Sequence, residues 1–391
     1  FSIVYLFKRR VFTRIIITVF WMAIGITNGY MLMKRVTPFN AQDLKVAQDG
    51  LTLITSYFNP FELVLVLIGI AAVIVWVISM WKRGGQYTGK VSKIFALIVI
   101  AASAASYGVL TNLAVEYRVV STYFGNIAFA YEDYGLPYCF MASVFNTGIN
   151  EPNGYDEEAM IEITDNRKFT ENTTGMKEDE MPNIVVIQLE SYFDVEEAEF
   201  FTTSSDASPN LRKMYENYST GYFKVPSVGA GTANTEFESI TGMSLRYFGA
   251  GEYPYKSILK EKTCESTAYV LKDLGYGTHA IHNNEANFYG RKTVFSMLGF
   301  DTFTSEEYMP DITDTTPTGW VKDHILTDEI FKAMESTEGP DYVYTISVQG
   351  HGDYPTEPVL DEPVIEVTGA ENEELNNAWE YYVNQMYEMD L

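Results

Sequence analysis

Five polar residues in this chain have side chains that could do chemistry, and three of them follow apolar segments. Glu190 and His351 each come shortly after an apolar stretch, and His282 follows another. Thr232 stands 42 residues after Glu190, at the predicted start of a helix, and Arg291 stands nine residues after His282. Carboxylate oxygens bind hard divalent ions, and guanidinium groups bind phosphate. These residue types favour a phosphate site in which a metal ion activates a hydroxyl.

Thr232 has two interpretations. It lies in the segment Gly229-Ala-Gly-Thr-Ala-Asn-Thr-Glu236, whose glycines permit a sharp turn into a helix. Free N–H groups at the start of that helix would stabilise an alkoxide and attract a phosphate. A threonine there is equally well explained as an ordinary helix N-cap. To act as a nucleophile the hydroxyl needs activation, for which metal coordination is one route, with Glu190 as an oxygen ligand.

The four histidines have different expected roles. His282 and His351 stand at strand ends and are the candidates for substrate contact. His279 is expected to be buried inside its strand, and His324 to be a surface or packing residue. Arg291 would hold a phosphate bidentately, with a surface salt bridge as the alternative.

Alternating apolar and amphipathic segments predict an α/β domain from residue 183 onwards. Strands are predicted over 184–189, 277–281 and 341–348, the first of them buried on both faces. Helices are predicted over 209–218, 233–241, 266–274, 292–298, 328–334 (capped by Thr327) and from Leu375 to Met386. This order is typical of a mainly parallel sheet sandwiched by helices, whose strand ends converge on one rim.

The N-terminal third is predicted to be a transmembrane region. Three segments are long and apolar enough to cross a bilayer: 11–33, 61–81 and 91–113. Residues 1–7 have the character of the tail of a further span. Basic clusters before the first span and between the second and third place loop 34–60 and everything after residue 114 outside the cell. Buried helices of a soluble protein are the alternative.

Charge separates the two parts of the chain. Residues 1–114 hold 11 Lys and Arg against 3 Asp and Glu, whereas the remaining residues hold 16 against 49. Such acidity argues against nucleic-acid binding. Residues 115–180 are predicted to be a connector with a short helix over 156–163, or a flexible tether, and 181–391 the external domain. The two cysteines have no zinc-site spacing.

Taken together, five motifs resemble the lipoteichoic acid synthase family. They are Ile187-Gln-Leu-Glu-Ser191, Gly229-Ala-Gly-Thr-Ala-Asn-Thr-Glu-Phe-Glu238, His282-Asn-Asn-Glu-Ala-Asn-Phe-Tyr-Gly-Arg291, Gly319-Trp-Val-Lys-Asp323 and Gln349-Gly-His351. Members of that family are membrane phosphoglycerol transferases with an external domain like those of sulfatases and alkaline phosphatases. The resemblance extends over nearly the whole chain, including Thr37-Pro-Phe-Asn40 and Gly135-Leu-Pro-Tyr-Cys139.

The resemblance implies roles for single residues. Glu190 corresponds to a manganese ligand, and Thr232 to the nucleophile that also binds the metal and forms a glycerophospho-threonine intermediate. His282, Arg291 and His351 correspond to residues that hold the glycerol phosphate group.

Two positions depart from the family. Tyr289 stands where a tryptophan is usual, and Asn284 where an aspartate occurs in well-known members. Both belong to the region around the head group, so they bear on the donor and acceptor more than on the reaction.

The implied reaction is metal-dependent transfer of phosphoglycerol from phosphatidylglycerol to a glycolipid or polyglycerolphosphate acceptor, at the cell membrane. Mn²⁺ is the implied metal, and Mg²⁺ is an alternative because oxygen and imidazole ligands admit both. Transfer of another head group, such as phosphoethanolamine, is a second reading. A non-catalytic protein that binds envelope polymer or regulates a partner is a third. A sulfatase proper is disfavoured, since no Cys/Ser-x-Pro-x-Arg sequence surrounds Thr232.

The family also completes its metal site with an Asp-His pair after the last helix. The Asp-His sequence of this chain, Asp323-His324, lies in a different segment. The chain also starts and ends inside apparent structural elements. It is therefore expected to be a fragment that lacks half of the metal site and is inactive by itself.

Overall fold

The chain forms two compact units in a computed structural model, which describes residues 1–34, 37–41, 43–44, 60–122, 124, 127–145, 148–149, 154–165, 181–227, 231–249, 251–310, 312, 314–352 and 354–391. One unit comprises Phe1–Asn150, Pro226–Gly231 and Ser244–Tyr253, and the other Glu151–Val225, Thr232–Met243 and Pro254–Leu391. Most of loop 34–60, residues 166–180 of the connector and residues 228–230 of the glycine-rich segment lie outside the described residues.

Three long helices dominate the first unit. They are α1 (Arg10–Lys34), α2 (Pro60–Arg83) and α3 (Lys93–Glu116). Each lies within three residues of a predicted span and is long and apolar enough to cross a membrane. A short 3₁₀ helix, Ser2–Leu6, precedes them, and its Tyr5 ring packs edge-on against Phe95 of α3.

Two short helices complete this unit, α4 (Ile127–Tyr134) and α5 (Leu136–Phe145). They pack on the loop that follows α1. The Tyr131 hydroxyl donates to the carbonyl oxygen of Phe39 at 2.9 Å, and the Phe39 ring stacks on Phe140 with centroids 5.8 Å apart. The segment of residues 37–40, which carries part of the resemblance, is therefore in contact with both helices.

The second unit is an α/β domain. Its elements are α6 (Glu157–Asp165), β1 (Ile184–Gln188), β2 (Thr202–Thr203), α7 (Pro209–Asn217), α8 (Thr232–Thr241), α9 (Thr267–Lys272), β3 (Gly277–His282), α10 (Arg291–Met297), β4 (Thr302–Ser305), α11 (His324–Glu335), β5 (Asp341–Ile346), β6 (Val367–Thr368) and α12 (Glu373–Asp390). The main sheet has the order β1-β5-β3-β4, and its pairs are parallel. β2 and β6 form a small antiparallel sheet. The predicted parallel sheet with flanking helices is confirmed.

Strand β5 is the centre of the core, and all six of its residues are buried. Its Val343 packs against Ile325 and Leu326 of α11. Alternate residues of a strand point to opposite faces, and Tyr342 accordingly stacks on Phe300 at 5.7 Å on the other side. Both faces of this strand are therefore covered, as its continuous apolar sequence favours.

The prediction that the first strand is buried on both faces is wrong. Val185, Val186 and Ile187 of β1 are between 36% and 53% exposed. In the part of the chain that the structure describes, β1 is an edge strand that pairs with β5 alone. An apolar run reports how a strand would pack but not where it lies in a sheet, and that position depends on distant pairing.

One helix boundary and one additional strand also differ from the sequence prediction. Helix α11 begins at His324 with Asp323 as its N-cap, so Thr327 lies inside the helix and is not its cap. Asp323 is fixed there because its carboxylate accepts the N–H groups of Val348 and Gln349 beyond β5. Strand β4 was not predicted, because Thr302–Ser305 contains a single large apolar residue.

Candidate active site

The carboxyl ends of three parallel strands lie side by side. Ile346 at the end of β5 is paired with Gln188 of β1 and with His282 of β3. The next residue, Ser347, donates its N–H to the Gln188 carbonyl oxygen at 3.0 Å, and its hydroxyl accepts the Glu190 N–H at 2.8 Å. Glu190 and His282 therefore flank the end of the central strand, at the rim where parallel sheets place ligands.

Glu190 and Thr232 are in direct contact. Thr232 is the first residue of α8, and its hydroxyl donates to Glu190 Oε1 at 2.6 Å. Glu190 is 6% exposed. Gly231 precedes the threonine with a φ of +82°, a left-handed conformation that glycine adopts most easily. The two oxygens proposed from the sequence as one site are thus brought together, and the hydroxyl is directed at the carboxylate.

The turn that carries Glu190 is tightly constrained. Ser191 has a φ of +59°, which is uncommon for a residue with a Cβ atom. Its carbonyl oxygen accepts a hydrogen bond from the Tyr382 hydroxyl at 2.8 Å. A Cβ atom on Gly350 would lie 2.8 Å from the Glu190 carbonyl oxygen, so only glycine fits there. The surrounding chain therefore fixes the direction of the Glu190 carboxylate.

Arg291 is a buried residue held by Glu236. Its Nε and Nη2 donate to the two carboxylate oxygens of Glu236 at 3.1 and 2.5 Å. The two side chains are 1% and 0% exposed, which excludes the surface salt bridge considered from the sequence. Arg291 Nη1 is buried and has no hydrogen-bond partner among the described residues. A phosphate would meet Nη1, because the Nε edge of the guanidinium is occupied.

The guanidinium of Arg291 stays protonated. Burial by itself lowers the pKa of the guanidinium, but the charge of Glu236 and its hydrogen bonds raise that pKa above its ordinary value. Glu190 contributes in the same direction. Arg291 is therefore a permanent cation within electrostatic range of the Glu190 carboxylate.

His282 is buried and neutral. Its Nδ1 lies 3.0 Å from the carbonyl oxygen of Ile346. A carbonyl only accepts, so Nδ1 carries the proton and Nε2 of the neutral ring has a free lone pair. Burial, and then the nearby charge of Arg291, lower the pKa of His282 well below 6.5. Nε2 is buried without a hydrogen-bond partner in the described part of the chain, and it is available to a ligand.

His351 lies at the end of the same rim. Its main-chain N–H donates to the Val348 carbonyl oxygen at 2.9 Å, and its ring lies 4.5 Å from the Trp320 ring, centroid to centroid. Its Nδ1 is likewise buried and unpaired within the described residues. Its proximity also contributes to the lowered pKa of His282, after burial and the charge of Arg291.

Tyr289 lies close to two cations. Its ring centroid is 5.4 Å from Cζ of Arg291 and 5.7 Å from Nζ of Lys256, and its φ of +56° is left-handed. Lys256 is 5% exposed and was missed by the sequence analysis, because no motif or strand end marks it. Asn284 lies in the same loop, where its side-chain oxygen accepts the Glu285 N–H at 2.8 Å.

The remaining histidines behave as expected. His279 is buried, with Nδ1 2.7 Å from the Thr302 hydroxyl and Nε2 3.2 Å from Asp341 Oδ1. His324 is exposed on the surface, 3.8 Å from Asp314. The carboxylate of Asp323 accepts backbone N–H groups and stabilises the loop after β5, so the sequence Asp323-His324 has a structural explanation.

Two of the described residues offer oxygen atoms of the kind that a divalent metal ion binds. Glu190 and Thr232 offer a carboxylate and a hydroxyl oxygen 2.6 Å apart, a donor set suited to a hard cation. No group of three or more His, Cys, Asp or Glu side chains arranged for a metal occurs within the ranges the structure describes. Mg²⁺ takes about six ligands, so these two residues would be two of them.

Residues 182–391, more than half of the chain, match the family model described as Sulfatase. The chain belongs to the sulfatase family. A putative cyclic β-1,2-glucan modification protein of Rhizobium meliloti (strain 1021) is 29% identical over 224 residues, which are 57% of this chain and 33% of that protein. The chain thus spans about a third of this curated relative.

Two solved structures are similar to part of this chain, and the first of them supports the fold. The Streptococcus pyogenes phosphoglycerol transferase GacH, in complex with sn-glycerol-1-phosphate, has a TM-score of 0.51 at 22% identity, covering 62% of this chain and 64% of that one. The lipoteichoic acid synthase LtaP from Listeria monocytogenes has a TM-score of 0.42 at 20% identity, covering 54% and 49%. The chain spans less than two thirds of either. The predicted sulfatase-like fold is confirmed.

We expect the stability of the protein to fall as the pH drops below about 6.5, with His282 as one cause. Unfolded His282 takes up a proton near its ordinary pKa of 6.5, whereas the buried ring does so only well below it. Below pH 6.5 the unfolded state therefore binds more protons than the folded state. For His282, the resulting loss in the free energy of unfolding reaches about 1.4 kcal/mol per pH unit.

This prediction is checked by denaturant unfolding at about pH 7.5 and 5.5. The His282→Gln variant should lose less stability than the wild type over this range. His324→Gln changes an exposed histidine and is the matched control. Its stability should depend on pH in the same way as that of the wild type. If the stability of His282→Gln fell with pH as much as that of the wild type, His282 would not be a cause of the pH dependence.

Proposed function

We propose that this protein transfers phosphoglycerol from phosphatidylglycerol to a glycolipid or polyglycerolphosphate acceptor, with a divalent metal ion and a covalent intermediate on Thr232. The observation that carries the proposal is the contact between the Thr232 hydroxyl and the buried Glu190 carboxylate at 2.6 Å. Three buried nitrogens of Arg291, His282 and His351, each unpaired within the described residues, accompany this contact. A reactive hydroxyl beside unpaired polar groups suits a phosphoester substrate.

The first step forms a bond between Thr232 Oγ1 and phosphorus and breaks the bond from phosphorus to the diacylglycerol oxygen. Glu190 Oε1 already accepts the hydroxyl hydrogen, so it orients the attacking oxygen. The proton lost by Thr232 balances the proton gained by diacylglycerol. A Mn²⁺ or Mg²⁺ ion held by Glu190 and Thr232 would lower the pKa of the hydroxyl and offset charge on the phosphate. In the second step an acceptor hydroxyl attacks phosphorus, and Thr232 regains a proton.

Arg291, His282 and His351 would hold the transferred group. Arg291 Nη1 is the charged donor for a phosphate oxygen, since Nε and Nη2 bind Glu236. His282 Nε2 carries a lone pair and therefore suits a glycerol hydroxyl better than a phosphate oxygen. His351 Nδ1 is the third group available to the ligand. Asn284 and Tyr289 would contact the glycerol part of the transferred group.

The charges around Tyr289 favour phosphoglycerol over phosphoethanolamine. Arg291 and Lys256 both lie within 6 Å of its ring, at 5.4 and 5.7 Å. The ammonium group of ethanolamine would approach these two cations, whose repulsion the Glu236 carboxylate offsets only in part, whereas an uncharged glycerol head group would meet no such repulsion. The proposed nucleophile argues against a sulfatase proper, because Thr232 does not lie in a Cys/Ser-x-Pro-x-Arg sequence.

The membrane helices fit a lipid donor. Helices α1, α2 and α3 are long and apolar enough to cross a bilayer. Basic residues at the ends of these spans support an external position for the α/β domain, because such residues prefer the cytoplasmic side of the membrane. There the active site would meet phosphatidylglycerol of the outer leaflet and a growing envelope polymer.

The test compares two lipids labelled in their diacylglycerol part, phosphatidylglycerol and phosphatidylethanolamine, with the full-length protein in nanodiscs and Mn²⁺. Diacylglycerol should be released from phosphatidylglycerol at least about tenfold faster, which corresponds to about 1.4 kcal/mol of discrimination. A chelator should stop the release. Preference for phosphatidylethanolamine would support the head-group alternative, and no release from either lipid would support a non-catalytic binding role.

A further inference from the structure

Glu236 is the one fully buried acidic residue of helix α8, and the reaction above gives it no part. It follows Thr232 by four residues, and residues at this spacing share one face of a helix. Thr232 extends to Glu190, and Glu236 extends to Arg291. A single helix therefore carries both the proposed nucleophile and the carboxylate that holds the proposed phosphate ligand.

The contact between Glu236 and Arg291 fixes the plane of the guanidinium. Nε lies 3.1 Å from Oε2 and Nη2 lies 2.5 Å from Oε1, a paired geometry that removes rotation about the end of the side chain. On other sides, the Phe288 and Tyr289 rings lie 5.8 and 5.4 Å from Cζ. Because Glu236 holds the edge formed by Nε and Nη2, it also sets the direction of the remaining nitrogen, Nη1.

We propose that Glu236 is a positioning residue that directs Nη1 of Arg291 at the phosphate attacked by Thr232. This role, which rests on the proposed function, explains the burial of a full ion pair next to the nucleophile. A buried pair of this kind contributes little net stability compared with apolar side chains of the same size. The ion pair instead contributes to geometry, because the rigid helix α8 sets the distance between Thr232 and the guanidinium of Arg291 that would hold the phosphate.

The test uses Glu236→Asp and Glu236→Gln in the full-length protein. Aspartate keeps the charge but is shorter by one carbon–carbon bond, about 1.5 Å. A displacement of about 1 Å can cost about a hundredfold in rate, so kcat for diacylglycerol release should fall by roughly that factor, with KM changed much less. Glutamine removes the charge and should reduce kcat at least as much. The unfolding midpoint is measured for every variant.

A second buried pair offers a matched control. His279 and Asp341 are both 2% exposed, and Asp341 is the first residue of β5, at the end of the strand away from the site. Asp341→Asn should lower the unfolding midpoint yet leave kcat of the folded protein unchanged. Loss of kcat in Glu236→Asp without a larger loss of stability than in Asp341→Asn supports the positioning role.

Two results would overturn it. One is a wild-type kcat in Glu236→Asp, and the other is a loss of activity that only follows the unfolded fraction. A wild-type protein that releases no diacylglycerol would reject the proposed function instead. Calorimetric titration with glycerol phosphate then decides the inference separately: affinity weakened at least about tenfold in Glu236→Asp supports it, and unchanged affinity overturns it.

Discussion

Replacement of Thr232 by alanine is expected to abolish covalent capture of the lipid head group and to leave the fold intact. The nucleophilic oxygen is lost, and a covalent intermediate cannot form without it. Loss of an essential nucleophile lowers kcat by about 10⁴-fold or more. The structural cost is smaller, because one hydrogen bond to Glu190 disappears, at about 1–3 kcal/mol for a buried partner left without its donor.

The measurement uses phosphatidylglycerol labelled in its glycerol head group. After rapid acid quenching, the wild-type protein should carry the label on the peptide that contains Thr232, and Thr232→Ala should carry none. Thr232→Ser is the matched control, since it keeps a hydroxyl at the start of α8 and should retain measurable labelling. Label that accumulates on Thr232→Ala would show that another residue is the nucleophile.

The contact between Thr232 and Glu190 could be predicted because it depends on simple rules of α/β folds. An acid that follows an apolar strand and a hydroxyl that begins a helix both belong to the carboxyl end of a parallel sheet. The positions of His282 and His351 follow from the same rule. Because the ends of these strands can be recognised in the sequence, the residues that share this edge of the sheet could be predicted without the structure.

The environment of each side chain could not be predicted in the same way. Glu236 and Glu238 flank an apolar residue on one helix, and nothing local shows that Glu236 is buried against Arg291 from 55 residues away. Lys256 lies in a short 3₁₀ helix without a pattern. The N-cap of α11 is Asp323 rather than Thr327 because the Asp323 carboxylate binds backbone N–H groups beyond β5. In each case a partner distant in sequence determines the result.

Removal of the Arg291 charge is expected to be the most destabilising single change at this site. In Arg291→Met the side chain keeps most of its volume, but Glu236 is left with an unpaired charge in a fully buried position. Breaking one side of a buried ion pair typically costs about 3–5 kcal/mol. Activity should be lost as well, since Nη1 is the charged donor proposed for the phosphate.

A double variant separates these two effects. Glu236→Leu together with Arg291→Met replaces the whole pair by apolar side chains, which is often neutral or stabilising. Denaturant unfolding should therefore show a large loss for Arg291→Met and recovery of most of it in the double variant, whereas diacylglycerol release should remain absent in both. If the double variant released diacylglycerol at the wild-type rate, Arg291 would have only a structural role. If Arg291→Met were as stable as the wild type, Glu236 would have to find another partner or take up a proton. The combination of restored stability with lost activity is the result that assigns Arg291 to the substrate.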